Sequence, residues 1–178
     1  SITTAGAGNA PVVGISITSA VAGNNVSGNT VAGINATGAN TGAFTAINVT
    51  ASGNNNTVNN TTVSGISTVV SGANVAFTGI TFAGGATSPA SSLQGNTVSG
   101  ITLTGTGAAS FMGLATTGTS LVNVGTVTGN TIGSTSNATS IQNAGTGATT
   151  GISVTEGATT GSVVNNNTVA GFSVSTTG

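Results

Sequence analysis

Asn96-Thr97-Val98-Ser99-Gly100-Ile101 decides the fold, because it recurs. It returns as Asn29-Thr30-Val31-Ala32-Gly33-Ile34, Thr61-Thr62-Val63-Ser64-Gly65-Ile66 and Asn167-Thr168-Val169-Ala170-Gly171-Phe172. Asn130-Thr131-Ile132-Gly133-Ser134 is a degenerate copy. Anchored on Thr30, Thr62, Thr97, Thr131 and Thr168, the steps are 32, 35, 34 and 37 residues. A second segment alternates with the first. It reads Val12-Val13-Gly14-Ile15-Ser16-Ile17-Thr18, then Phe44-Thr45-Ala46-Ile47-Asn48-Val49-Thr50. Its later copies run over 77–82, 111–116 and 150–155, and its central small residue steps by 32, 33, 34 and 38. Two independent motifs share one drifting period of about 34 residues, the mark of a repeat architecture.

Each unit holds at least two strands. A third is expected just before the Asn-Thr motif, as in Leu121-Val122-Asn123-Val124 or Ser162-Val163-Val164. Side chains alternate within a strand: Ile15 with Ile17, Ile47 with Val49, Ile80 with Phe82 and Ile152 with Val154 share one face, and Leu114 continues it. Ser16, Asn48, Thr81 and Ser153 share the other. This period of two gives each strand one core face. So small a unit cannot bury that face alone, but stacked units can. The expected fold is therefore all-β: a parallel β-helix, or β-solenoid, of about five coils of roughly 34 residues. Residues 1–178 form its single repeat domain. A right-handed coil is expected from the hand of parallel crossovers.

The composition fits. The chain has 178 residues, with 36 Thr, 30 Gly, 21 Asn and 21 Ser, no Lys, Arg or His, and Glu156 as its one acidic residue. A charged residue repeated in every coil would stack into a column of like charges, which is destabilising. Thr and Asn columns instead give hydrogen-bonded ladders. Asn29, Asn96, Asn130 and Asn167 are the candidates for one such ladder. Thr61 interrupts it, with Asn60 one place earlier, so a bulge or register change is expected there. Asn and Gly also suit corners, because both accept left-handed backbone.

The Asn-Thr-Val-Ser-Gly-Ile units, set among Gly-Thr-Gly-Ala linkers, resemble the β-strand repeats of very long secreted surface proteins and adhesins of bacteria, especially Bacteroidota. The resemblance implies a secreted, cell-surface or fibre role and supplies no catalytic residue.

The residue inventory argues against other classes. Acid–base catalysis needs a titratable group, and Glu156 is the only one offered. Glycoside cleavage normally needs two carboxylates, and a Ser nucleophile needs a base. Zinc and transition-metal sites lack ligands without Cys, His or Asp, so no cofactor is expected. Nucleic acid is not an expected partner, because nothing neutralises phosphate. Gly105-Thr106-Gly107 reads as a turn, since no Lys follows it. No apolar run approaches the roughly 20 residues of a membrane helix. Eight Asn-x-Ser/Thr sequons occur, at Asn25, Asn35, Asn48, Asn55, Asn59, Asn60, Asn137 and Asn166. With one ionisable side chain, stability should hardly depend on pH.

The leading expectation is an extracellular structural protein whose partner is itself. The sequence starts and stops inside a repeat, and uncapped solenoid ends are templates for further strands. Head-to-tail stacking, or a slice of a longer array, is expected. Val12, Ile15, Val169, Phe172 and Val174 are the candidate end-to-end interface. One alternative is a surface adhesin binding ice, glycans or other surface polymers. It lacks Thr-x-Thr at one fixed place in every coil, and Trp or Tyr platforms for sugars. Another is a strand-donating β-sandwich pilin.

Overall fold

The computed structural model describes residues 2–5, 11–37, 42–70, 75–105, 107–156 and 161–175. Among them every named strand pair is parallel, and the strands form three sheets. Sheet 1 stacks Val12–Ser19, Phe44–Ala51, Ala76–Ala83, Ser110–Thr116 and Thr149–Ser153. These five strands define coils one to five and span four complete turns. Sheet 2 stacks Thr57–Asn59, Ser91–Gln94, Val122–Val124 and Val163–Val164, and Asn25 bridges to Thr57 in coil one. Sheet 3 carries the Asn-Thr motif: Thr30–Ala32 with Ile34–Thr37, Thr62–Val70, Thr97–Gly105, Thr131–Gly133 with Ile141–Asn143, and Thr168–Ala170 with Phe172–Val174. Ile2–Ala5 pairs outside Ile34–Thr37. The chain visits the sheets in the order 1, 2, 3 and returns one layer on, which makes a β-solenoid with three sides. The expected third strand is sheet 2. The sandwich alternative falls, because sandwiches are built of antiparallel sheets.

Register follows the motif. Thr30, Thr62, Thr97, Thr131 and Thr168 are successive partners in one column. The register change expected at Thr61 does not occur. Thr62 pairs with both Thr30 and Thr97 in frame. Asn60 takes φ 53°, the left-handed corner conformation that Gly28 and Gly95 take at the same place and that Asn tolerates, so Thr61 simply fills the column.

The motif glycine explains a break in the alternation. Val98 and Ile101 are both buried although three residues apart. Gly100 lies between them with φ 61°, as do Gly33 at 66° and Gly65 at 60° in their coils. Left-handed backbone there turns the strand so that both arms face inward. Sheet 1 changes phase differently, by turning two successive residues inward: Ala46 with Ile47, Gly79 with Ile80, and Gly113 with Leu114 are all buried. The first of each pair must be small, because the Val column of sheet 3 projects at it. A Cβ on Gly79 would stand 2.9 Å from both Val98 methyls.

The core is a set of columns. Phe44, Phe77 and Phe111 stack with ring centroids 5.3 and 5.7 Å apart, and Phe172 from sheet 3 meets Phe111 edge-on at 5.7 Å. Such pairs add about 0.5–1.5 kcal/mol each beyond the area they bury. Ile47, Val49, Ile80, Phe82 and Leu114 are fully buried, while Ile15, Ile17, Ile152 and Val154 are half-buried against the same core.

Candidate functional site

Among the described residues no three His, Cys, Asp or Glu come together. Glu156 is exposed, and its Oε1 accepts a hydrogen bond from the Ser162 N–H at 3.0 Å. No helix of the described chain is long and apolar enough to cross a membrane. The polar features with defined geometry are ladders at the coil corners, outward columns, and the two end layers.

The first ladder lies where sheet 2 turns into sheet 3. At four of the five ladder positions the preceding residue takes left-handed backbone: Gly28 at φ 70°, Asn60 at 53°, Gly95 at 62° and Asn166 at 55°; Gly129, before Asn130, does not. That corner points the next side chain into the molecule, and Thr61, Asn96 and Asn130 are buried completely. A buried amide must satisfy its donors and acceptor, and these do so between layers. Asn130 Oδ1 accepts from Asn96 N–H at 3.0 Å and from Asn96 Nδ2 at 2.9 Å. Asn167 Oδ1 accepts the same pair from Asn130 at 3.0 and 2.8 Å. Each Nδ2 also reaches back one layer: Asn96 to Val58 O, Asn130 to Leu93 O and Asn167 to Val124 O. Asn96 Oδ1 accepts the Thr61 N–H at 3.1 Å.

Asn29 occupies the same column but lies outside this network. Its carbonyl accepts the Thr62 N–H at 2.8 Å, as those of Thr61, Asn96 and Asn130 accept from Thr97, Thr131 and Thr168. Among the described residues its side chain bonds only Ser27 O, at 3.3 Å. Thr61 separates it from the other three, because the Thr61 hydroxyl is turned to Val26 O at 3.4 Å and Asn59 O at 3.3 Å.

Sequence reasoning missed a second ladder where sheet 1 turns into sheet 2. Asn56 Oδ1 accepts from Asn24 N–H and Nδ2 at 2.9 and 2.8 Å. Ser91 Oγ accepts the Asn56 N–H at 3.1 Å. Ser162 Oγ accepts from Val122 N–H in the same column, at 3.1 Å. The available signal was a left-handed residue followed by Asn. Gly23-Asn24 and Asn55-Asn56, with φ 76° and 56° at the first residue, repeat the logic of Gly95-Asn96.

The outward columns carry hydroxyls. Thr30, Thr62, Thr97, Thr131 and Thr168 point away from the core in every coil, and none of their hydroxyls has a hydrogen-bond partner among the described residues. The next outward column reads Ala32, Ser64, Ser99, Gly133 and Ala170, so it is small rather than threonine throughout. Of the sequon asparagines, Asn25, Asn35, Asn55, Asn60, Asn137 and Asn166 are exposed.

The end layers differ from the interior. Val169 and Val174 are 51% and 52% exposed, and Phe172 is half-buried. At the opposite end Val12 and Ile15 are half-buried. Comparison with protein-family models, curated proteins and solved structures finds no match to this chain.

Proposed function

We propose that this chain is a non-catalytic structural solenoid of the cell exterior, and that it assembles with copies of itself, end to end, into a fibre or surface layer. One observation carries the reading. Every coil lies on the one before it in one parallel register, Thr30 to Thr62, Thr97, Thr131 and Thr168, so the fold grows by adding layers and each layer is a template for the next. The near-absence of charge supports the same reading, since Glu156 alone offers little to repel an approaching copy. Glycans or other surface polymers are the further partners that suit an extracellular setting.

The test is electron microscopy of the purified chain at neutral pH. Filaments with an axial layer line near 4.8 Å, the strand spacing, are expected. Monodisperse single chains at high concentration would reject assembly.

The unbroken, unpartnered Thr column favours one second reading, a surface that binds ice or a regular glycan. Ice shaping or pull-down on insoluble polysaccharide, lost in Thr97→Lys, tests it. Neither activity in the intact chain would reject it.

A further inference from the structure

Coil four departs from its neighbours at one place on sheet 3. Ile132 pairs with Val98, and Ile141 pairs with Ile101. Residues 133–140 therefore take the place that Ser99 and Gly100 fill in coil three. The inserted loop is seated at both ends. Ser134 N–H donates to Ala170 O at 3.0 Å and Ile141 N–H to Gly171 O at 2.9 Å, while Ser140 Oγ accepts the Gly100 N–H at 3.3 Å. Between these anchors residues 135–139 are exposed, and none makes a backbone hydrogen bond to another coil among the described residues. In their middle stands the sequon Asn137-Ala138-Thr139.

This sequon differs from the other seven. Asn137 Oδ1 accepts both the Thr139 N–H and the Thr139 Oγ1–H, each at 3.0 Å. Asn137 is exposed, and its Nδ2 has no partner among the described residues. The others belong to the layered frame. Asn35, Asn48 and Asn59 lie in strands paired to neighbouring coils. Asn55, Asn60 and Asn166 make left-handed corners, and their Thr57, Thr62 and Thr168 are already paired in strands. Asn25 Oδ1 is taken by Thr57 Oγ1 at 3.0 Å. A modifying enzyme must draw the acceptor segment into its own site. A strand bonded to adjacent layers resists that, whereas an exposed loop anchored only at its base opens at small cost.

We propose that Asn137 is the acceptor for an N-linked glycan, and that the folded chain takes one at this sequon alone. The proposal rests on the cell-exterior reading above, because such acceptors belong to surface loops of secreted chains. The sugar arrives as a glycosyl diphosphate on a lipid. Asn137 Nδ2 attacks its C1, the C1–O bond to the diphosphate breaks and the N–C1 bond forms. One Nδ2 proton passes to a base of the transferase, and the lipid diphosphate leaves. Thr139 is the positioning residue, since its hydroxyl fixes the asparagine amide. The glycan also answers a need set by composition. Glu156 is the one charged side chain, so little else keeps rods from bundling side by side, and a hydrated glycan on the flank separates them.

The experiment incubates the purified, folded chain with an oligosaccharyltransferase and a polyprenol-diphosphate oligosaccharide. Intact mass counts the glycans, and peptide fragmentation places them. One glycan at Asn137 is expected. Asn137→Gln and Thr139→Ala should each abolish it, and Thr139→Ser should keep it. All three variants should melt like the parent, because both residues are exposed. No transfer to the parent, a glycan at any other sequon, or transfer that survives Asn137→Gln or Thr139→Ala would overturn this site. The reaction is run outside the cell, so that failure leaves the exterior reading standing. Single chains in the microscope would reject assembly and leave the site.

Discussion

Coils three and five carry the same motif in the same register, yet their buried residues differ sharply. Val98, Ile101 and Leu103 are fully buried, while their column partners in coil five are Val169 at 51% exposure, a half-buried Phe172, and Val174 at 52%. Sheet 1 repeats the contrast, with Ile80 buried and Ile152 half-buried. Burial here is a property of having a neighbour on both sides, not of the motif. Each coil covers the one before it, and stability is a sum of such nearest-neighbour terms.

The largest expected effect tests that contrast in the aromatic column. Phe77→Ala removes the ring held between Phe44 and Phe111 and should cost about 3–5 kcal/mol. Phe172→Ala, at the edge of the stack, should cost less than half as much. Guanidinium unfolding midpoints of the two variants decide the matter, and equal losses would mean that coil five is covered in solution.

The next effect tests the ladder. Asn96→Ala strands the Thr61 N–H and Val58 O in a buried corner. It should cost about 2–3 kcal/mol. Asn167→Ala likewise takes the partners from the Asn130 N–H and Val124 O, but Asn167 is only half-buried and water can enter its corner to pair them, so it should cost about 1 kcal/mol. Thermal melting of both variants in dilute solution checks the ratio.

The smallest effect has the opposite sign. Thr68 is buried in coil two with no partner for its Oγ1 among the described residues, while Leu103 fills the same column in coil three. Thr68→Val should stabilise by about 1 kcal/mol, since it removes an unsatisfied hydroxyl at similar shape. A fall in the unfolding midpoint would show that the hydroxyl is satisfied.

Much of the fold was legible because the repeat is written in residues that face each other across layers. Aligning Thr30, Thr62, Thr97, Thr131 and Thr168 by eye is the same operation as stacking them. The ladder over Asn96, Asn130 and Asn167 followed from that alignment. What escaped depends on backbone angles and on the opposite sheet. Asn60 makes the same left-handed corner as Gly28 and Gly95, so the register survives the missing Asn at position 61. The small residue of the second motif faces the Val column of the first, a relation visible only once the coil closes. The degenerate fourth copy is also explained. Gly133 pairs with Ala170, but Ile141 resumes the inward column after an inserted loop, so the motif is split rather than lost. The sequence contained that loop only as a longer step.

Coils that touch only their neighbours give the rod a particular mechanical character. The bonds between layers run along its axis, so a pull on the ends loads them in series. One folded coil adds about 4.8 Å of height. Peeled away, its roughly 34 residues supply about 110 Å of extended chain. Stretched in a force spectrometer, such a rod should yield coil by coil, each release slackening the tether before the next layer bears load.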